Sequence, residues 1–324
     1  MNDISNDSAM EPERQPVSGP SLVERVQAAI EKDGLSQNAA AKEMGFSGPA
    51  LNQWLKGKYK GDNAGLDRLA GQWLESRERR QQAALMIPTA PAWFDGPTAR
   101  DITITLAMAQ ADGDIVTITG SPGVGKTIAA AAFRDANPSV WMATMAPHSS
   151  SVVVALQEIA EAVGLKDMAH TGARTLFRAI QRRVAETHGL LIIDEAQHLN
   201  VKCFDEVRSI HDVTGIGIAF IGNETVSGRM AGGGRAGDHA QVYSRVGGRR
   251  YIPRPVRGDV RAQADAWGLD CVECLEFLEE LAGKPGALRL VTKTIRRAAF
   301  HAGGVEKVTL EHLQAAWRNL GADR

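Results

Sequence analysis

The apolar positions of this chain change their period twice, and each change marks a new kind of element. From Leu22 they recur at helical spacing through Val23, Val26, Ala29 and Ile30. Ser21 in front of them, with Glu24 three residues later, predicts a capping box. Gly34 ends this first helix. A second short helix spans 36–44, Gly45 makes a tight turn, and Ser47 caps a third helix through Leu51, Trp54 and Leu55. A short helix, a glycine turn and a capped helix are the signature of a helix-turn-helix. Leu66, Leu69, Ala70, Trp73 and Leu74 predict a closing amphipathic helix, which places the domain at 21–76. The stretch 77–97 is polar and punctuated by Pro88, Pro91 and Pro97, and reads as a linker. Trp93 and Phe94 within it either pack on the next domain or gate a bound base.

Thr98 reads as the cap of an amphipathic helix to about Ala111, after which the period changes. Asp114 to Thr119 is rich in β-branched residues, Val140 to Met145 reads as a buried strand, and Ile216 to Ile221 as another. Leu190-Leu191-Ile192-Ile193 is apolar without alternation, as in a parallel sheet covered on both faces. Helices over 128–134, 149–163 and 175–187 alternate with these strands, and 249–252 is the last strand before Pro253 and Pro255. The pattern therefore predicts an α/β core over 98–255, a parallel sheet flanked by helices. From 256 to 324 the spacing is helical throughout, broken sharply at Gly283-Lys284-Pro285-Gly286. Residues 1–20 have little to bury and read as a disordered tail, and Ser227 to Asp238 as a mobile glycine-rich loop.

Composition narrows the classes. The 324 residues are 44% hydrophobic and 23% charged, as in an ordinary soluble protein. No apolar run approaches a membrane span, and the first twenty residues fit neither a secretory signal nor a transit peptide, so a cytoplasmic protein with no membrane partner is expected. The formal net charge of −1 means that nucleic-acid binding must rest on local patches. Three cysteines exclude a disulfide framework, and Cys271-x-x-Cys274 reads as two thiols in a helix rather than a metal or redox pair.

The chemistry is concentrated between the first two strands of the core. Gly120-Ser121-Pro122-Gly123-Val124-Gly125-Lys126-Thr127 satisfies the phosphate-loop pattern at every fixed position, with a strand before it and an alanine-rich helix after it. Backbone N–H groups and the helix N-terminus would cradle phosphates, Lys126 would reach the β- and γ-phosphates of ATP, and Thr127 would hold Mg²⁺. Asp194 at the end of the third strand is the expected second Mg²⁺ ligand, and Glu195 the base that accepts a proton from the attacking water. Asn223, at the carboxyl end of the next strand, can orient that water or the γ-phosphate, or can simply favour a turn.

Candidate DNA contacts are more diffuse. If the helix-turn-helix reads DNA, rather than being a small helical interaction domain of the same topology, Ser47, Gly48, Asn52, Gln53 and Lys56 would face the major groove, with Lys56, Lys58 and Lys60 on phosphates. Arg174, Arg178 and Arg182, with Arg183 beside them, make one basic stripe, and Lys293, Arg296 and Arg297 follow Arg289 on a C-terminal helix. Each stripe reads as either a solvated face or a phosphate-tracking surface.

These motifs in this order resemble the AAA+ ATPases. The resemblance adds two assignments. Arg245 in Tyr243-Ser244-Arg245 matches an arginine finger, and Arg289 in Gly286-Ala287-Leu288-Arg289 matches the second sensor on the lid. It makes 98–255 a P-loop AAA+ core, 256–324 its helical lid, and Asn223 the first sensor. The helix-turn-helix ending in Gly57-Lys58-Tyr59-Lys60-Gly61-Asp62-Asn63, the strand around Val140-Trp141-Met142, Ile192-Ile193-Asp194-Glu195-Ala196-Gln197-His198-Leu199 and Lys284-Pro285-Gly286-Ala287-Leu288-Arg289 further resemble the Mu B family of phage transposition proteins. The first twenty residues and part of the glycine-rich loop depart from that pattern. The resemblance implies ATP-controlled, largely sequence-nonspecific binding of double-stranded DNA in a bacterial host cytoplasm. It also implies self-assembly into helical filaments, and activation of a partner DDE transposase that in turn stimulates ATP hydrolysis. Two other readings share the same core: a replication initiator or loader, and a helix-turn-helix transcription regulator that only senses ATP.

Overall fold

A computed structural model describes residues 20–86, 88–91, 93–166, 168, 171–230 and 246–321. The expected tail (all but Pro20), most of the glycine-rich loop and Arg245 lie outside the described residues. The chain divides into two compact units, Met1–Met86 and Ile87–Arg324.

Among the described residues the first unit holds four helices: α1 (Leu22–Lys32), α2 (Gln37–Met44), α3 (Gly48–Leu55) and α4 (Asn63–Met86). Ser21, Ser36 and Ser47 each accept a hydrogen bond from a backbone N–H three residues on, supplying the acceptors that helix N-termini lack. The apolar stripes of the helices close on one core of Val26, Ile30, Ala40, Met44, Leu51, Trp54, Leu66, Ala70, Trp73 and Leu74. Both tryptophans satisfy their indole N–H, Trp54 on Asp67 at 2.8 Å and Trp73 on Glu43 at 2.9 Å. Arg77 lies 4.6 Å over the Trp73 ring and pairs with both Glu43 and Asp33. That anchors α4 beyond residue 76. The stretch 77–86, expected in the linker, continues the helix, because arginine, glutamine, alanine and leucine are good helix formers and nothing interrupts them before Pro88.

In the second unit, α5 (Pro97–Asp112) leads into β1 (Ile115–Gly120), α6 (Lys126–Ala136), β2 (Val140–Thr144), α7 (Val152–Ala162), α8 (Ala173–Val184) and β3 (Leu190–Asp194). There follow α9 (Val201–Thr214), β4 (Gly217–Gly222), α10 (Thr225–Met230) and β5 (Val246–Ile252). The strands form one sheet in the order β2-β3-β4-β1-β5, every pair parallel. Alternate side chains of the central strands enter opposite cores. Leu191, Ile193, Ile218 and Phe220 meet α7, α8 and α9, whereas Val116, Ile118, Leu190, Ile192 and Ile221 meet α5 and α6. This two-sided burial is why the strands read as unbroken apolar runs. It also aligns the carboxyl ends of β1, β3 and β4 along one rim, where ligands of such sheets bind.

Four further helices follow: α11 (Arg257–Trp267), α12 (Val272–Ala282), α13 (Ala287–Ala302) and α14 (Leu310–Asn319). They enclose a separate core that includes Trp267, Leu278, Val291, Ile295, Leu313 and Trp317. Cys271 caps α12 by accepting from the Cys274 N–H at 3.3 Å, and both cysteines are free thiols.

Thr98 does not cap α5. Gly96 does, with Pro97 at the first helical position, where a missing N–H costs nothing. Thr98 instead donates from its N–H (2.8 Å) and Oγ1 (2.6 Å) to Asp259 of α11, which also accepts from the Val256 N–H at 2.8 Å. Asp259 is 1% exposed, so a buried carboxylate ties α11 to α5. Ser149 likewise sits in a short 3₁₀ turn, and α7 begins after Ser151, which caps it. Among the described residues, no helix is long and apolar enough to cross a membrane.

Candidate nucleotide-binding site

The turn from β1 into α6 carries Gly120 to Thr127, with Gly123 and Gly125 at φ of 87° and 97°. These left-handed conformations point successive N–H groups into one concavity at the N-terminus of α6. At Gly123 a side chain is also sterically excluded, because a Cβ would collide with the Gly286 carbonyl at the start of α13. Phosphate loop and lid therefore meet backbone to backbone. Ala287 follows at φ 45°, a left-handed conformation rare for a residue with a side chain.

The cleft above the loop has a volume of about 220 Å³ and collects Lys126, Thr127, Asp194, Glu195, Gln197, Asn223 and Arg289. Lys126 Nζ donates to the carbonyls of Gly120 (2.8 Å) and Ser121 (2.9 Å). Thr127 Oγ1 donates to Asp194 Oδ2 at 2.9 Å. Burial pushes the Asp194 carboxyl above its usual range, opposed by the Thr127 hydrogen bond, and the residue is 2% exposed. Burial also draws the Lys126 ammonium below its ordinary value. A buried carboxylate beside a hydroxyl, facing a phosphate cradle, is an oxygen donor set suited to Mg²⁺ shared with a nucleotide. Among the described residues no cluster of three or more His, Cys, Asp or Glu side chains offers a cage of its own for a metal.

Glu195 follows β3 with φ 53°, and its carboxylate accepts a hydrogen bond from Gln197 Nε2. Asn223 follows β4. Its Oδ1 accepts from Thr225 N (2.9 Å) and Oγ1 (2.6 Å), a turn role that leaves its amide nitrogen end for the cleft it lines. In the sequence Gln197 carries no charge and fits no spacing rule of its own; it stands two residues after the acidic strand end, inside the segment that resembles the Mu B family. Beside the loop, Trp93, Phe94, Val124, Ile128 and Leu288 line a narrow slot, with Phe94 packed on the lid core and Trp93 38% exposed.

The basic candidates fall on separate surfaces. Arg174, Arg178 and Arg182 line one shallow groove on α8, while Arg183 turns toward the Trp141 ring at 5.7 Å. Lys293, Arg296 and Arg297 share an open groove with Arg289, Phe300 and His301. In the first unit Asn52 is half-buried on α3 and Lys56 is exposed at its end.

The sheet order, the phosphate loop and a lid helix bringing an arginine to it define a P-loop ATPase of the AAA+ class. Residues 110–230 match the family described as "AAA domain", and 244–320 match "Mu B transposition protein, C terminal". The chain is 36% identical over 295 residues to the ATP-dependent target DNA activator B of Escherichia phage Mu, covering 91% of this chain and 93% of that protein. It is 34% identical over 275 residues to the Mu-like prophage FluMu DNA transposition protein B of Haemophilus influenzae, covering 84% and 94%. Among solved structures it superposes on the Aeropyrum pernix ORC1 protein in complex with DNA with a TM-score of 0.52, at 17% identity over 74% of this chain and 69% of that one, a likeness of fold. The chain belongs to the Mu B family.

Proposed function

We propose that this chain is an ATP-dependent, largely sequence-nonspecific DNA-binding ATPase of phage transposition. It would assemble on target DNA in the ATP-bound state and present that DNA to a DDE transposase in the bacterial host cytoplasm. The observation that carries the reading is the convergence of Lys126, Thr127, Asp194, Glu195, Asn223 and Arg289 on one cleft between sheet and lid, in a chain so similar to proteins named as target DNA activators. Lys126 and the loop N–H groups bind the phosphates. Thr127 Oγ1 and Asp194 hold Mg²⁺, which when bound neutralises charge on the β- and γ-phosphates. Glu195 takes a proton from the attacking water, and Asn223 orients that water through its amide.

Arg289 from the lid and Arg245 of a neighbouring subunit complete the γ-phosphate contacts. An arginine supplied in trans makes the site whole only between protomers, so ATP favours assembly and hydrolysis loosens it. Assembly multiplies weak contacts, so each protomer needs only a few of Arg174, Arg178, Arg182, Arg183, Lys293, Arg296 and Arg297, with Asn52 and Lys56 as further candidates, to face DNA, which reconciles binding with a net charge of −1. DNA and the transposase would stimulate turnover. Filter binding to unrelated duplexes with ATP, ADP and no nucleotide tests the reading. Tight binding with ATP alone is expected, and Lys126→Ala should abolish it. Equal affinity in all three conditions would overturn the proposal.

A further inference from the structure

Within the cleft, Gln197 joins the ends of two neighbouring strands. Its Nε2 donates to Glu195 Oε2, and its Oε1 accepts from the Asn223 N–H at 3.3 Å. One end therefore holds the acid at the end of β3, and the other is fixed to the backbone at the end of β4. The neighbouring strand has made room for it. Gly222 lies against the amide, and a Cβ there would collide with Gln197 Oε1 and press on Val226. Glu195 itself sits on left-handed backbone, a conformation that disfavours residues with side chains, so its carboxylate gains from an external hold. The charged groups facing this pair across the cleft are Lys126, Asp194 and Arg289.

We infer that Gln197 is a positioning residue for ATP hydrolysis, clamping one oxygen of Glu195 so that the other faces the attacking water, and tying that clamp to the turn that carries Asn223. The inference rests on Glu195 acting as the general base proposed above. A carboxylate held by an amide N–H keeps its orientation. Because the amide is anchored to the Asn223 backbone, a shift of that turn toward or away from a γ-phosphate moves the base with it. Base and sensor then respond together.

The test uses the full chain with DNA and ATP. Gln197→Ala should bind a fluorescent ATP analogue within about twofold of wild type yet lose roughly 10- to 100-fold in kcat, the usual cost of removing a group that orients a reacting residue. Gln197→Glu keeps the side chain's length but removes the N–H that holds Glu195, so it too should lower kcat while leaving KM for ATP within about twofold. That split between kcat and KM is one that a merely structural role would not produce. Gly222→Ala, which displaces the amide without removing it, should lower kcat in the same way. Wild-type turnover in Gln197→Ala, or in a folded Gln197→Glu, would overturn the inference. Glu195→Gln separates the two ideas: if that variant is inactive while Gln197→Ala is fully active, only the role of Gln197 fails. If it hydrolyses normally, the base assignment fails first.

Discussion

Replacing Asp259 with alanine should detach the lid from the helix it leans on. The carboxylate accepts three hydrogen bonds, from Thr98 N and Oγ1 and from Val256 N, at 2.6 to 2.8 Å and almost entirely out of water. Alanine leaves two backbone N–H groups without acceptors, each costing about 1–3 kcal/mol, the lower end applying to the exposed Val256. Loss of the Thr98 hydroxyl's charged acceptor adds about 1 kcal/mol. The expected destabilisation is about 3–5 kcal/mol, near the upper limit for single substitutions. Thr98→Val removes one bond and should cost about 1.5–2 kcal/mol, and in that background Asp259→Ala should cost correspondingly less, since the two changes share an interaction. Urea unfolding followed by far-UV circular dichroism gives the totals. Native-state hydrogen exchange on 98–112 and 256–267 shows where protection is lost. A cost under about 1 kcal/mol for Asp259→Ala, or strict additivity with Thr98→Val, would refute the reasoning.

Asp194→Asn should raise the stability of the nucleotide-free protein near neutral pH and remove its stabilisation by ATP and Mg²⁺. A carboxyl whose folded pKa is raised opposes folding once ionised, so wild-type stability from this group falls as pH rises through that pKa, and the asparagine variant should lack this fall. Thermal melts from pH 4 to 8, with and without nucleotide, measure both. Arg77→Ala should cost the first unit about 1–2 kcal/mol, because its pairs with Glu43 and Asp33 are only partly buried. Hydrogen exchange should speed up within 63–76, with nucleotide affinity unchanged. Replacing Arg174, Arg178 and Arg182 together with alanine should lower the slope of log affinity against log salt by about 2–3, with no change in ATP binding. An unchanged slope would remove α8 from the DNA surface.

The phosphate loop was legible because every part of it is local: a strand, a turn that needs glycines, a lysine and a hydroxyl at fixed spacing. Asp194, Glu195 and Asn223 were legible because strand ends in a parallel sheet gather on one rim. Thr98 was not. A threonine at the start of a helical pattern is a reasonable cap, but its partner lies 161 residues along the chain, and no periodicity reports such a pairing. The end of the first unit was misjudged because polar arginines and glutamines resemble a linker in composition while favouring helix in conformation, and the contact that fixes them, Arg77 on Trp73 and its two acids, is tertiary. Gln197 stands in the sequence only as part of the segment that resembles the Mu B family, because its bond to the Asn223 backbone depends on two strands being neighbours.

The meeting of Gly123 with the Gly286 carbonyl has a consequence for how such a protein can vary. Where two parts touch through side chains, substitution can adjust the fit one methyl group at a time. Here the contact is main chain on main chain, and a single methyl on Gly123 already forces the two apart. At Gly123, then, no side chain can adjust the spacing between loop and lid. Adjustment falls to the side chains packed beside that contact, such as Val124 on the loop and Ala287 on the lid.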